Sequence, residues 1–492
     1  MKKLKIILQQ ERGRPARAKQ KPEFAGEPPA LRAVGKFLSS LAFALTLFCP
    51  AIGGNAIAQD AGTNSAAWLT QPLSLMGALN TALQQNAAIL KGKNDLEASY
   101  GIVVQTRAIA LPHVQAVGRY TDNEITTLQE PPISGFSYPQ ANQNWNAGVQ
   151  IVQSIYDGGK LTAAVRAARL TKEQALAQYQ TVIADALLAA RVAYYDVLLA
   201  AQQITVHEAS VNLLQKEQED QQRRYNAGTV PHFNVLRADV AVANERPLLI
   251  QARNNYRIAK NNLSNLLGYN LPRDVWENIP LHLTDTLDAV PYVVNLPDAI
   301  QQALGKRTEL TALRKAEALQ QLGIVNAKSG YKPTVQVFAG YNWFNSSFST
   351  DVGTHLDGWN AGGQMTWNIF DGLLTHGRVV QAKALHEKSE TELADQSRQI
   401  ELQVRTAYSD FIEAKEVLDS QQTVLAEADE VLREANARAD AGTGTQLDVL
   451  DAETSLTQAR TTNVLALHDY ATARAKLERA IGEDMVQTAA EK

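Results

Sequence analysis

Residues 145–268 recur, in register, 214 positions further along the same chain. Trp145-Asn146-Ala147-Gly148 matches Trp359-Asn360-Ala361-Gly362, Asp157-Gly158 matches Asp371-Gly372, and Ala227-Gly228-Thr229 matches Ala441-Gly442-Thr443. Arg191, Ala193, Tyr194 and Asp196 match Arg405, Ala407, Tyr408 and Asp410, and Leu263 and Gly268 match Leu477 and Gly482. Upstream the offset is 221, with Pro112 and Tyr120 matching Pro333 and Tyr341, so a seven-residue length difference lies between Tyr120 and Trp145. Such a chain has to build one supersecondary unit twice and join the two.

Each copy reads in the same order. A short helix opens it (75–85; 297–304), and a longer one runs to Leu111 or Tyr331, where Pro112 and Pro333 disfavour helical backbone in the residue before them. Two segments of period-two alternation follow. Val335, Val337, Ala339, Tyr341 and Trp343 fall on one side, with Gln336, Gly340 and Asn342 on the other. Ala361, Met365, Trp367 and Ile369 likewise oppose Gly362, Gln364, Thr366 and Asn368, and the first copy does the same with Val114, Ala116 and Tyr120, then Val149, Ile151 and Ile155. Segments of about 10 residues, apolar on one face and polar on the other, are the signature of membrane barrel strands. They are expected at 113–121, 146–156, 334–343 and 360–370, joined by polar loops at 122–144 and 345–358. Tyr120, Trp145, Tyr156, Tyr341, Trp343, Trp359 and Phe370 lie near their ends, as an interfacial aromatic girdle requires.

After each pair, Asp157-Gly158-Gly159 and Asp371-Gly372 break the extended chain and start a helix. No proline occurs from Lys160 to Val230. Ile183, Leu187, Ala190, Tyr194, Val197, Ala201 and Ile204 follow a heptad seam, with Leu188, Val192, Tyr195 and Leu199 as a second stripe beside it. Two stripes mean neighbours on both sides, as in the wall of a tube. About 67 residues at 1.5 Å each give a rod of roughly 100 Å. Ala227-Gly228-Thr229 and Ala441-Gly442-Thr443-Gly444 end the rods in tight turns, because glycine tolerates the positive φ that a helix stop uses.

The first 58 residues carry a net charge of +7 in a chain of −4 overall, leaving −11 for the rest. This basic start, an apolar run at 37–49 and Ala56-Ile57-Ala58 have the order of a secretory signal peptide cleaved before Gln59, with room for a start codon downstream of Met1. Cys49 is the chain's one cysteine, and Phe48 before it does not suit a lipid anchor, so a chain cleaved at Ala58 has neither disulfides nor thiol chemistry. The expected organisation is a signal peptide at 1–58 and an N-terminal segment at 59–74. The first repeat spans 75–268, with a β-hairpin at 112–157 and a helical tip at 227–231. A linker at 269–296 leads to the second repeat at 297–482, with a β-hairpin at 333–371 and a tip at 441–445, and a tail occupies 483–492.

No catalytic constellation is present. The eight histidines are scattered without H-E-x-x-H or other metal-ligand spacing, Gly442-Thr443-Gly444 lacks the Lys-Ser/Thr of a phosphate loop, and no serine stands in a G-x-S-x-G context. We expect no enzyme activity, cofactor or metal. The acidic balance beyond residue 58 excludes nucleic acid as a partner.

Four strands cannot close a membrane barrel, which starts at about eight, so the chain has to oligomerise. The signal peptide, the duplication, the W-N-A-G strands, the Asp-Gly helix starts and the A-G-T turns together resemble the outer-membrane efflux (TolC-like) family over residues 70–485. The resemblance implies an α+β membrane protein: a homotrimeric duct with a 12-stranded barrel embedded in outer-membrane lipid, four strands per chain, continuous with an α-helical barrel through the periplasm of a Gram-negative bacterium. It implies a periplasmic adaptor protein at the helical tips and an inner-membrane pump, proton-driven or ABC type. The duct would export small toxic molecules, or alternatively serve type I protein secretion; a pore-less periplasmic coiled-coil scaffold is the reading from another class.

The resemblance also carries residues. The family's entrance pattern G-T-x-T-x-x-D-V-L-D falls on residues 442–451, making Asp448 and Asp451 the entrance carboxylates, whose crowding in a trimer would raise their pKa values. The turns at Ala227, Gly228, Thr229, Ala441, Gly442, Thr443 and Gly444 would meet the adaptor, and Tyr120, Trp145, Tyr341, Trp343 and Trp359 would mark the membrane interface. Three departures remove the entrance latch of the family's best-known member: Gly444 and Ala439 stand where it has arginine and tyrosine, and Asn234 stands where it has an acid. Arg224, Phe233, Asn234, Arg237, Arg438 and Asp440 remain as candidate gating contacts.

Overall fold

The computed structural model describes residues 72–122, 143–269, 279–345 and 353–483, all within one compact unit. The signal-peptide reading and most of the 122–144 loop lie outside the described residues. The elements run α1 (Leu75–Gln85), α2 (Ala87–Ala108), β1 (His113–Asp122), β2 (Gln143–Asp157), α3 (Lys160–Asn226) and α4 (His232–Leu266). The second half repeats this order as α5 (Leu296–Lys306), α6 (Thr308–Lys328), β3 (Thr334–Asn345), β4 (His355–Thr366), α7 (Leu374–Asp440) and α8 (Gln446–Ile481). Both long helices, α3 and α7, have 67 residues. Among the described residues no helix is long and apolar enough to cross a membrane.

The strands form one antiparallel sheet in the order β1-β2-β3-β4. Its register sorts the side chains. Val114, Ile151, Ala339 and Ala361 lie in one cross-strand row, and Ala116, Val149, Tyr341 and Trp359 in the next, giving a continuous apolar face. The opposite face carries rows such as Gln115, Gln150, Gly340 and Asn360. Glycines leave room for close backbone approach on the polar face. A Cβ on Gly340 there would meet the Val149 carbonyl at 2.8 Å, whereas Gly118 on the apolar face opens to empty space. Tyr120 pairs with Trp145 and Trp343 packs on Tyr341 (ring centroids 4.9 Å apart), so the exposed aromatics gather at the end of the sheet away from the helices. A second group, Tyr156, Trp367 and Phe370, is exposed at the helical end.

The fourth strand differs from the sequence expectation. It spans His355–Thr366, so the expected polar loop at 345–358 is ladder from His355 onward, and Trp367, Ile369 and Phe370 lie beyond the strand. Antiparallel partners end together: Asn345 pairs with His355 and Thr334 with Thr366. Past Thr366, β3 offers no further partner, and the Trp367 indole N–H donates instead to the Tyr331 carbonyl.

Beneath the sheet the helices form a wall. Helix α3 packs against α2 and α4 on one side and α6 and α8 on the other, and α7 continues the wall beyond α6 and α8. Two cores hold it. In the first, Ala78 and Ala82 of α1 meet Ala190, Val197 and Leu263; in the second, Ala299 and Ala303 of α5 meet Val404, Phe411 and Leu477. These sets are related residue for residue by the offsets of 221 and 214. The polar contacts repeat too: Asn86 Nδ2 donates to the Leu266 carbonyl and Arg307 Nη1 to the Ala480 carbonyl, 2.6 and 3.2 Å.

One contact breaks this symmetry. Arg191 on α3 and Glu478 on α8 are fully buried and form an ion pair joining the repeats (2.5 Å), with Arg474 on the second carboxylate oxygen at 2.7 Å. The repeat equivalents are Arg405, exposed and paired with Glu401 in its own helix, and Ser264. Removing one member of a buried pair leaves a desolvated charge, whereas an exposed i,i+4 pair contributes little. Glu478→Gln is therefore expected to destabilise by about 3–5 kcal/mol, against under about 1 kcal/mol for Glu401→Ala, read from denaturant unfolding of the detergent-solubilised protein.

Candidate functional site

The far ends of the rods carry the two tip turns, and the structure gives them the same hydrogen bonds. Gly228 and Gly442 both have φ +74°. The Gly228 N–H donates to the Tyr225 carbonyl and the Thr229 N–H to that of Arg224; Gly442 and Thr443 donate to Ala439 and Arg438 in the same way. This double bond pattern closes a helix on a left-handed glycine and satisfies its last carbonyls. Each threonine hydroxyl adds a bond to the same carbonyl, at 2.8 and 3.2 Å. The second turn is tighter. Gly444 also donates to Arg438, and a Cβ at 444 would lie 3.0 Å from the Ala439 nitrogen, so the backbone leaves little room for the family's arginine.

Asp448 and Asp451 both lie exposed on the first turns of α8. Asp448 has a local task. Its carboxylate accepts from the Thr445 N–H (2.8 Å) and hydroxyl (2.9 Å) while Thr445 Oγ1 accepts from the Asp448 N–H, a reciprocal cap on α8. The Thr445 bonds hold the Asp448 carboxyl below the usual range within one chain, opposite to the rise expected from crowding.

The gating candidates separate. Arg224 of α3 reaches Asp440 of α7 at 3.3 Å while also holding Asp220 of its own helix. Arg438 turns to Glu434 in its own helix, and Phe233 is exposed. Asn234 contributes its backbone carbonyl, which accepts from Gln446 Nε2 at 3.0 Å and ties the first tip to α8. Arg237 lines a cavity of about 600 Å³ between the hairpins, together with Arg224, Asn234 and Asp440.

That cavity holds groups that sequence reading missed. Glu217 and Gln221 on α3 face Gln446 and Glu453 on α8. Glu453 is 4% exposed, and burial, with the Glu217 carboxylate adding to it, pushes its carboxyl up to about 7. Burial also raises Glu217. Gln221 Oε1, Gln446 Oε1 and Glu453 Oε2 are buried with no hydrogen-bond partner among the described residues. The available signal was that Glu453 stands seven residues after Gln446, on the helix face that Val449 and Leu450 mark as buried.

The chain thus sets a four-stranded sheet with one apolar face on two 67-residue helices. The model of the family described as outer membrane efflux protein matches residues 78–269 and 299–483. The chain belongs to that family. It is 25% identical to the outer membrane protein TolC of Escherichia coli K12 over 435 residues, covering 84% of this chain and 83% of TolC. It is also 25% identical to protein CyaE of Bordetella pertussis over 416 residues, covering 84% of each. The outer-membrane channel CmeC of Campylobacter jejuni shares its fold, with a TM-score of 0.71 at 15% identity over 85% of this chain and 88% of that one. The protein is an outer-membrane exit duct of the kind used in efflux and type I secretion, with a TolC-like fold that supplies four strands per chain.

Glu453 makes the tip packing sensitive to pH. A carboxyl raised in the folded state keeps a proton that the unfolded chain releases from about pH 4.5. Its contribution is thus most favourable below that value and is lost as pH rises through about 7. Asp220, Arg223, Arg224, Arg237, Asp440 and Lys216 also line the cavity, so the test is a difference. Amide exchange at the α3–α8 seam is expected to quicken between pH 5 and pH 8 in the wild type, and less so in Glu453→Gln.

Proposed function

We propose that three copies form a passive duct that receives small toxic molecules from an inner-membrane pump through a periplasmic adaptor and releases them outside the cell. The observation that carries this reading is the sheet: its β1 and β4 edges have no partner among the described residues, and its faces are sorted into apolar and polar. Three copies give 12 strands and a lumen, two give eight and a lumen filled by side chains. Tyr120, Trp145, Tyr341, Trp343 and Trp359 then form the outer aromatic girdle. The exposed turns at Ala227, Gly228, Thr229, Ala441, Gly442, Thr443 and Gly444 are the surface offered to the adaptor. The closed entrance is held by Arg224 on Asp440 and by Gln446 on the Asn234 carbonyl in place of the family's latch.

Three copies of Asp448 and Asp451 would place six carboxylates at the entrance, which favours cations and their block of the pore. Asn at both positions removes the charge, while its side-chain oxygen can still accept the Thr445 bonds. The Asp448→Asn/Asp451→Asn variant is expected to conduct with weaker block by multivalent cations in planar bilayers; unchanged block removes the role from both residues. The export reading is tested by co-expression with candidate pump–adaptor pairs in a host lacking its own duct. Restored drug resistance supports it, and secretion of a polypeptide without any drug resistance assigns the duct to type I secretion.

A further inference from the structure

Helices α6 and α7 flank the second β-hairpin, and at their contact Glu317 meets His386 and Glu390. One donor atom from each of the three residues lies within 4.8 Å of the other two, the one such set of three among the described residues. His386 Nδ1 stands 3.5 Å from Glu317 Oε1, and His386 Nε2 3.6 Å from Glu390 Oε1. These separations are too long for hydrogen bonds, and Nδ1 is buried with no hydrogen-bond partner among the described residues. Two ligands bound at about 2.0–2.2 Å to one tetrahedral ion lie roughly 3.4 Å apart, which the His386 Nδ1–Glu317 distance matches; the Glu390 distance is to the other ring nitrogen, so Glu390 has to swing from Nε2 to join an ion held at Nδ1.

We propose that Glu317, His386 and Glu390 form a binding site for a borderline divalent cation, Zn²⁺ or Co²⁺, that staples α6 to α7. Imidazole with two carboxylates suits such ions, whereas Mg²⁺ and Ca²⁺ take oxygen ligands. His386 Nδ1 and Glu317 supply the inner two ligands. The Glu390 side chain, 59% exposed and one turn further along α7, is free to turn from Nε2 toward that ion as the third ligand, and water completes the shell. The duplication provides an internal comparison. The equivalent positions in the first repeat are Leu96, Lys172 and Leu176, which offer no such set, so the three donors are an addition to the second repeat and not part of the shared wall. Sequence spacing does not reveal the site, because its ligands come from two helices on either side of a hairpin.

The test uses the purified, detergent-solubilised assembly in metal-free buffer at neutral pH. Titration with Co²⁺, followed by visible absorption, and with Zn²⁺, followed by calorimetry, is expected to show one site per chain and a raised melting temperature. Loss of mere second-shell partners costs about 10–100-fold in metal affinity, so His386→Ala or Glu317→Gln is expected to lose at least about 100-fold. Glu390→Gln, at an exposed position, serves as the milder variant should the others fail to assemble. Absence of a site in the wild type, or affinity unchanged in a folded His386→Ala or Glu390→Gln protein, overturns the proposal.

Discussion

The structure depends on backbone hydrogen bonds that one chain cannot make. Strands β1 and β4 each end the sheet with a row of unpaired N–H and C=O groups, 10 and 12 residues long. In a bilayer no water can take those groups, and an open edge costs several kcal/mol for every one of them. The apolar face makes retreat into water unfavourable, with Val114, Trp359 and Met365 all more than half exposed. The remaining solution is closure through other copies, and glycines such as Gly148 and Gly340 keep the polar face free of side chains that would crowd a closed lumen. Everything below the sheet inherits that symmetry, because the rods that hang from a closed barrel must themselves form a closed wall.

The wall has two kinds of seam. Within the chain, α3 meets α6 and α8; in the proposed trimer, the duplication would set α7 against α2 and α4 of a neighbour. The in-chain seam is fixed by the buried Arg191–Glu478 pair, and the equivalent positions Arg405 and Ser264 cannot repeat it. A buried ion pair is a poor source of net stability but a strong constraint on register. Register is thus locked inside each chain, and in the proposed trimer the seam between copies has no equivalent buried pair at these positions. Exposed side chains such as Leu402 of α7 and Ile250 of α4 lie on the edges that would form the second kind of seam.

Much of this was legible in the sequence, for identifiable reasons. Helix α3 was bounded by Gly159 and Ala227 because an Asp-Gly-Gly break and an Ala-Gly-Thr stop leave 67 residues with no proline between them. The heptad seam marked Leu187, Ala190, Tyr194 and Val197, all of which are buried. The fourth strand was misplaced by a few residues because composition marked Asp357-Gly358 as loop, while pairing with β3 sets the true ends. The tip cavity was illegible. Glu217 and Glu453 are ordinary helix-surface residues in isolation, and only the approach of α3 to α8 buries them against each other.

The tip thus combines carboxylates with opposite environments. Asp448 is exposed and its carboxyl is held low through the Thr445 bonds, while Glu453, five residues further along α8, is buried beside another acid and has its carboxyl pushed up to about 7. Helix geometry makes this separation unavoidable: residues five apart on a helix point about 140° from each other. The face that presents fixed charge to solvent therefore cannot be the face that packs between hairpins. If the proposed entrance role of Asp448 holds, one short stretch carries both that role and a proton-dependent contact, and a change at one need not alter the other.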